Sequence, residues 1–197
     1  MTKPQSTPDN GVPLSDYQTF GDADLITAKT QAIRFARAMK ESPESGYCLS
    51  LLGNSGNGKT LLAKAIWRVA APRGGLSWRP MGEGSYYQPS DRQCVWFDWR
   101  TVASSLYDRD FSLVGDLKSC WFLVLDDVGA HTDSKGLASG VFDEVIRARK
   151  AKWTIVTSNL LLKDFQAIDT RIASFLVRDK NRVVHVKTID YALRDIL

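Results

Sequence analysis

Cysteine is scarce in this 197-residue chain: Cys48, Cys94 and Cys120 are an odd number, far apart, with no CxxC pair and no histidine at ligand spacing. That pattern excludes a disulfide scaffold and a zinc site, and reads as three reduced thiols in or near a core. Histidine occurs twice, at His131 and His185, each isolated, and neither is given a metal or catalytic role. Long apolar runs are missing too. The longest, such as residues 120–125, fall far short of the roughly 20 residues that cross a bilayer, and a carboxylate follows at once. Residues 1–20 are polar and rich in Pro, Ser, Thr and Asp, without the basic start and apolar centre of a secretion signal. A cytoplasmic protein with no membrane partner is expected. What is present is globular in kind: 44% hydrophobic, 10% aromatic and 24% charged residues exclude wholesale disorder and a collagen-like repeat. The length suits one domain that buries about 70% of the surface its unfolded form exposes. A net charge of +4 permits an anionic partner without requiring one.

Residues 1–19 carry Pro4, Pro8, Gly11 and Pro13 and no sustained periodicity. A flexible amino-terminal arm is expected there, followed by a single domain over 20–197. From residue 24 to 39 apolar side chains recur at helical spacing behind Asp22 or Asp24 as cap. Strands are expected over 47–52, 94–98, 120–125, 153–157 and 183–186, and further helices over 59–71, 100–107 and 137–150. Residues 72–93, punctuated by Pro72, Gly74, Gly75, Pro80, Gly82, Gly84 and Pro89, read as a long irregular connection. Short apolar strands alternating with helices specify an α/β fold, a parallel sheet of five strands with helices on both faces.

Between the first strand and the second helix stands Gly53-Asn54-Ser55-Gly56-Asn57-Gly58-Lys59-Thr60, the P-loop pattern. Its glycines let successive backbone N–H groups turn toward phosphate oxygens, and the helix behind adds its positive end. Gly53, Asn54, Ser55, Gly56, Asn57, Gly58, Lys59, Thr60 and the following Leu61 are the expected nucleotide-binding set. Lys59 would reach the β and γ phosphates of a nucleotide, and Thr60 would place its hydroxyl on Mg²⁺. With glycine at about 7% of average sequence, a chance match in a chain this long is on the order of one per cent.

A second acidic site is expected at the tip of another buried strand, and Asp126-Asp127 ends the run 121–125. Asp126 would hold Mg²⁺ through its water shell, and Asp127 would orient and deprotonate an attacking water. Asn159, just past the fourth strand, has two readings: a sensor of the γ phosphate or holder of the water, and a local cap or Asx turn. The segment 75–92 also has two. Trp78, Arg79, Tyr86, Tyr87 and Arg92 mix aromatics with cations as single-stranded DNA binders do, whereas Glu83 and Asp91 dilute the charge of what is otherwise an ordinary ordered loop.

Taken together, these blocks resemble the AAA+ ATPases, and within them the DnaC/IstB-like helicase loaders and transposition helpers. The match covers residues 20–176, through LLGNSGNGKTLLAKAI, FLVLDDVG, FDEVIRARK, TIVTSNL and TRIASFL. The resemblance implies the sheet order 5-1-4-3-2, binding and hydrolysis of ATP with Mg²⁺, and nucleotide-dependent self-association or docking on a replicative ring helicase. It implies a helicase loader or loading accessory in DNA replication, with an IstB-like transposition helper, or a slowly hydrolysing phage or mobile-element module that captures a host helicase, as alternatives. Asp127 stands where relatives commonly have the longer glutamate, so slow, partner-stimulated turnover is expected. In the relatives' Arg-x-x-Ser-Arg pattern, Arg171 and Ser174 match, and Phe175 replaces the arginine that acts on a neighbouring subunit's ATP. Arg171 or Arg178 would then supply the cation, the other reading being a surface pair of Arg171 with Asp169. About 20 residues precede the matching segment, where DnaC-like loaders carry a helicase-grasping domain. About 20 follow it, too few for a full helical lid.

Overall fold

In the computed structural model, residues 12–70, 92–129, 133 and 136–188 are described in full, with the backbone of 76–77 and 85–87. Each of the five apolar runs becomes a strand because both its faces are covered. In β1 (Cys48–Leu52), Leu49 and Leu51 pack on one helical layer and Cys48 and Leu52 on the other. The first layer is α1 (Ala23–Glu41) and α2 (Lys59–Ala70). The antiparallel strands β2 (Leu76–Ser77) and β3 (Ser85–Tyr87) come next in the chain, then the parallel β4 (Cys94–Asp98). The second layer is built from α3 (Trp99–Tyr107), α4 (Ser112–Ser119), α5 (Leu137–Ala148), α6 (Leu162–Ile168) and α7 (Thr170–Val177). The remaining parallel strands are β5 (Phe122–Val128), β6 (Trp153–Ser158) and β7 (Arg182–His185). The sheet runs β2-β3-β4-β5-β6-β1-β7. Its five parallel members take the order 5-1-4-3-2 when numbered among themselves, as the resemblance implies. Strands β2 and β3 fall inside the stretch expected to be irregular. Their short length and the flanking glycines and prolines hide them from a periodicity argument.

The other differences are local. Strand β5 starts two residues later than expected because Cys120 caps the carboxyl end of α4 instead. Helix α4 itself has only Leu113 and Leu117 buried, a Gly115 in its middle and no side-chain cap, so its sequence signal is weak. The amino-terminal arm also departs from expectation within its described part. Tyr17 is buried, and Lys29 Nζ donates to the carbonyls of Ser15 (3.0 Å) and Tyr17 (2.8 Å). Residues 12–19 therefore pack on the domain; residues 1–11, like 189–197, lie outside the described residues. No helix among the described residues is long and apolar enough to cross a membrane. The three cysteines are free and buried, and burial pushes the thiols of Cys48 and Cys94 up to about 11 and about 12.

One buried charge ties the second layer to the sheet. Arg149, 2% exposed, donates to the carbonyls of Leu117 (3.0 Å), Cys120 (2.9 Å) and Trp153 (2.7 Å) and to the Thr154 hydroxyl (2.8 Å). It thereby satisfies carbonyls at the end of α4 that no helical N–H reaches. Arg149→Leu leaves these acceptors buried without a donor and is expected to lower stability by about 3 kcal/mol. The measurement is a urea titration, in which the midpoint falls and the slope is retained.

Candidate functional site

The expected P-loop set, both aspartates and Asn159 belong to one edge of the sheet, the carboxyl ends of the parallel strands, where β1, β5 and β6 release their chains side by side. After β1 the chain turns at Gly53, whose φ of 144° lies in the region that favours glycine, and a Cβ there would come 2.0 Å from the Val186 carbonyl oxygen. The loop is pinned to that same carbonyl by Asn57, fully buried, whose Nδ2 donates to it at 2.5 Å. Helix α2 then begins at Lys59. The Lys59 ammonium is drawn back over the loop, within 2.9 Å of the Gly53 carbonyl, 2.5 Å of that of Asn54 and 3.0 Å of Asn57 Oδ1. Burial lowers its pKa to about 8, against the pull of Asp127 and Asp126.

Strand β5 delivers both carboxylates. Side chains of a regular strand alternate between faces, so consecutive aspartates would part. Here the register with β6 shifts between Leu125 and Val128, and Asp127 takes φ of 61°, a conformation Asp tolerates better than most residues. Asp126 and Asp127 consequently line the same cleft of about 550 Å³, together with Ser55 through Leu61, Thr157 and Asn159. Thr60 donates to Asp126 Oδ1 at 2.9 Å and Thr157 at 2.5 Å. Burial pushes the Asp126 carboxyl up, and these two hydroxyls oppose the rise. Asn159 links the two halves: its Oδ1 accepts from Lys59 (3.0 Å) and its Nδ2 donates to Asp127 Oδ1 (3.1 Å). The amide therefore faces the cleft.

Arg171 does not join this group. Its Nε and Nη2 donate to Asp169, the closest contact at 2.6 Å, and it lines a separate groove with Arg147, Ser174, Phe175 and Arg178. Phe175 is half-buried against the second core layer. Of the 75–92 aromatics and cations, Trp78 and Arg79 lie outside the described residues, as do the side chains of Tyr86 and Tyr87. Arg92, partly exposed, lies over the Trp121 ring (5.1 Å to the centroid) and 3.3 Å from Glu44.

Sequence reasoning missed several members of the site, Lys64 of α2 among them. Thr157 reads as a β-branched strand residue and nothing more. Asp98 and Arg100 line the cleft from the tip of β4 and the start of α3. Asp98 carries the same signal as Asp126, a carboxylate at the end of a buried apolar strand. Tyr17 closes the far side of the P-loop: with Val12, Phe20, Gly56, Gly58 and Leu61 it lines a largely apolar hollow of about 330 Å³.

No protein-family model matches the chain, and no curated protein sequence does. Solved structures do match. A DnaI structure superposes with a TM-score of 0.62 at 20% identity, over 92% of this chain and 90% of that one. The DnaC helicase loader gives 0.63 at 21%, over 89% and 96%. The replication initiator DnaA, bound to AMPPCP and single-stranded DNA, gives 0.65 at 18%, over 93% of this chain and 51% of that one. With the strand order and the P-loop at the edge of the sheet, these likenesses establish that the chain has the fold of the DnaC-like AAA+ P-loop NTPases.

Proposed function

We propose that the chain binds ATP with Mg²⁺ in the 550 Å³ cleft, hydrolyses it slowly, and acts as a loader or loading accessory of a replicative ring helicase. The observation that carries the nucleotide chemistry is the convergence of the Thr60 and Thr157 hydroxyls on Asp126, beside an Asp127 that Asn159 connects to Lys59. The donor set suits Mg²⁺, a hard cation that takes one or two protein oxygens and keeps its waters and phosphate ligands. Thr60 and Asp126 would hold it, and when bound it would supply charge neutralisation to the nucleotide's phosphates. Backbone N–H groups of the loop and of the first turn of α2 bind phosphate oxygens, and Lys59 exchanges its carbonyl partners for them. Asp127 accepts a proton from water at its carboxylate while Asn159 fixes the direction of that carboxylate. The apolar hollow beside Gly56 and Leu61 would take the adenine ring.

The loader reading is supported by likeness to DnaC and DnaI along nearly the whole of each chain. Single-stranded DNA and further copies of the chain are proposed as accessory partners, DnaA being the relative in fold seen on such DNA. A half-buried Phe175, with no cation to offer a neighbouring site, favours a second reading, a module whose bound ATP fixes a docked state and turns over slowly. The test is size-exclusion chromatography of the Asp127→Asn protein with the ring helicase of its source, with and without Mg-ATP. Co-elution only with nucleotide is expected. Separate elution under both conditions, with ATP still bound, overturns the loader role and leaves the nucleotide site standing.

A further inference from the structure

Three carboxylates and three cations line the cleft: Asp98, Asp126 and Asp127 against Lys59, Lys64 and Arg100. Before nucleotide binds, these fixed charges cancel. Lys59 and Arg100 occupy opposite ends of one connected rim, Lys59 to Asn159 (3.0 Å), Asn159 to Asp127 (3.1 Å), and Asp127 Oδ2 to Arg100 Nε (3.6 Å). The two cations are held very differently. Lys59 is buried under four oxygen acceptors of the loop and of Asn159. Arg100 is exposed, and its contacts are to carboxylates: Asp98 at 2.7 and 3.2 Å, and Asp127. An exposed guanidinium in pairs of this kind is re-aimed at little cost, because solvent screens each such pair.

Resting on the ATP-binding reading above, we infer that Arg100 is the terminal-phosphate discriminator of this cleft, a cation that leaves Asp98 and Asp127 for the γ phosphate of a nucleoside triphosphate and stays with them when a diphosphate is bound. A γ phosphate that reaches Lys59 and Asn159 lies on the rim that Arg100 completes. The phosphate outcompetes the carboxylates because it presents more negative charge and acceptor geometry that matches the planar guanidinium fork. A diphosphate ends short of the rim and leaves Arg100 where the structure has it. The residue serves in cis and is supplied by the chain's own α3, so it operates in a single subunit and needs no cation at Phe175.

The experiment is isothermal titration of the full chain with Mg-AMPPCP and with Mg-ADP. Parent, Arg100→Gln, Arg100→Lys and Asp98→Asn proteins are compared. Arg100→Gln is expected to weaken AMPPCP binding about tenfold and to leave ADP within about twofold, the scale of one charge-assisted contact. Arg100→Lys recovers part of the loss. Asp98→Asn keeps the cap of α3, which needs only an oxygen for the Arg100 N–H (2.8 Å), yet removes the competing charge, so its preference for AMPPCP over ADP rises. An unchanged AMPPCP-to-ADP affinity ratio in Arg100→Gln, with the parent binding both, overturns the inference alone. A parent that binds neither nucleotide overturns the ATP-binding reading and this inference with it. Melting temperatures of the variants distinguish either outcome from misfolding.

Discussion

The Asp127→Asn protein is expected to bind Mg-ATP within about twofold of the parent and to turn it over at least about a hundredfold more slowly, the usual contribution of a positioned general base. The substitution is a clean one at this position. Asn accepts the left-handed backbone that Asp127 adopts, so the bulge that brings both side chains to the cleft survives. Its amide oxygen still accepts from Asn159, but it no longer takes a proton from water. Alanine would confuse the result, because φ of 61° strains a residue whose side chain makes no local hydrogen bond. Parental turnover in Asp127→Asn, measured as phosphate release in single-turnover conditions, would falsify the assignment of the base. A proportional loss of binding and turnover would instead make Asp127 part of the binding surface.

Lys59→Ala is expected to have the other large effect: on the ATP-binding reading, affinity falls by at least about a hundredfold, because the buried cation of the cleft is lost and the Gly53, Asn54 and Asn57 oxygens it covers are left without a donor. The same residue sets a pH dependence with a definite sign. Its ammonium, the form that binds phosphate, is lost as pH rises through about 8. Binding above that value takes up a proton, so affinity falls by up to about tenfold per pH unit, whereas below it the lysine contributes no pH dependence. Titrations from pH 7 to 9.5 in buffers of different ionisation enthalpy detect both the loss and the proton. Affinity that is flat across this range would mean that Lys59 keeps its proton in the free protein.

Much of this was legible before any coordinates. The sheet could be read because buried parallel strands leave short, largely apolar runs bounded by polar or glycine residues where the chain leaves the core. The P-loop could be read because its glycines are demanded by geometry, as the approach of Gly53 to Val186 illustrates. What stayed hidden depends on pairing across the sheet. Nothing in the sequence near Thr157 says that it sits opposite the β5 bulge, where it donates to Asp126 and accepts from the Asp127 N–H at 2.9 Å. Tyr17 was hidden for a different reason. Its neighbours are polar and turn-forming, so a segment fastened by single contacts reads as one with none. Arg171 shows what motif matching leaves open: the residue type agrees with the pattern, while in this structure its exposed side chain pairs with Asp169, two positions away.

The attachment of the P-loop to Val186 joins events at opposite ends of the chain. Val186 follows the last strand of the sheet, donates its N–H to Leu52 at 2.7 Å and accepts from Asn57, while the next residue, Lys187, donates its N–H to Asp24 at the start of α1. Among the described residues strand β7 is an edge, paired only with β1, and edges belong to the parts of a sheet that open locally at low cost. Fraying it would remove the acceptor that orients Asn57, and with Asn57 one of the oxygens that aims Lys59. On the nucleotide-binding reading proposed above, local melting at the periphery is coupled to loss of grip on phosphate, and a bound nucleotide is expected to keep the last strand stitched to the sheet.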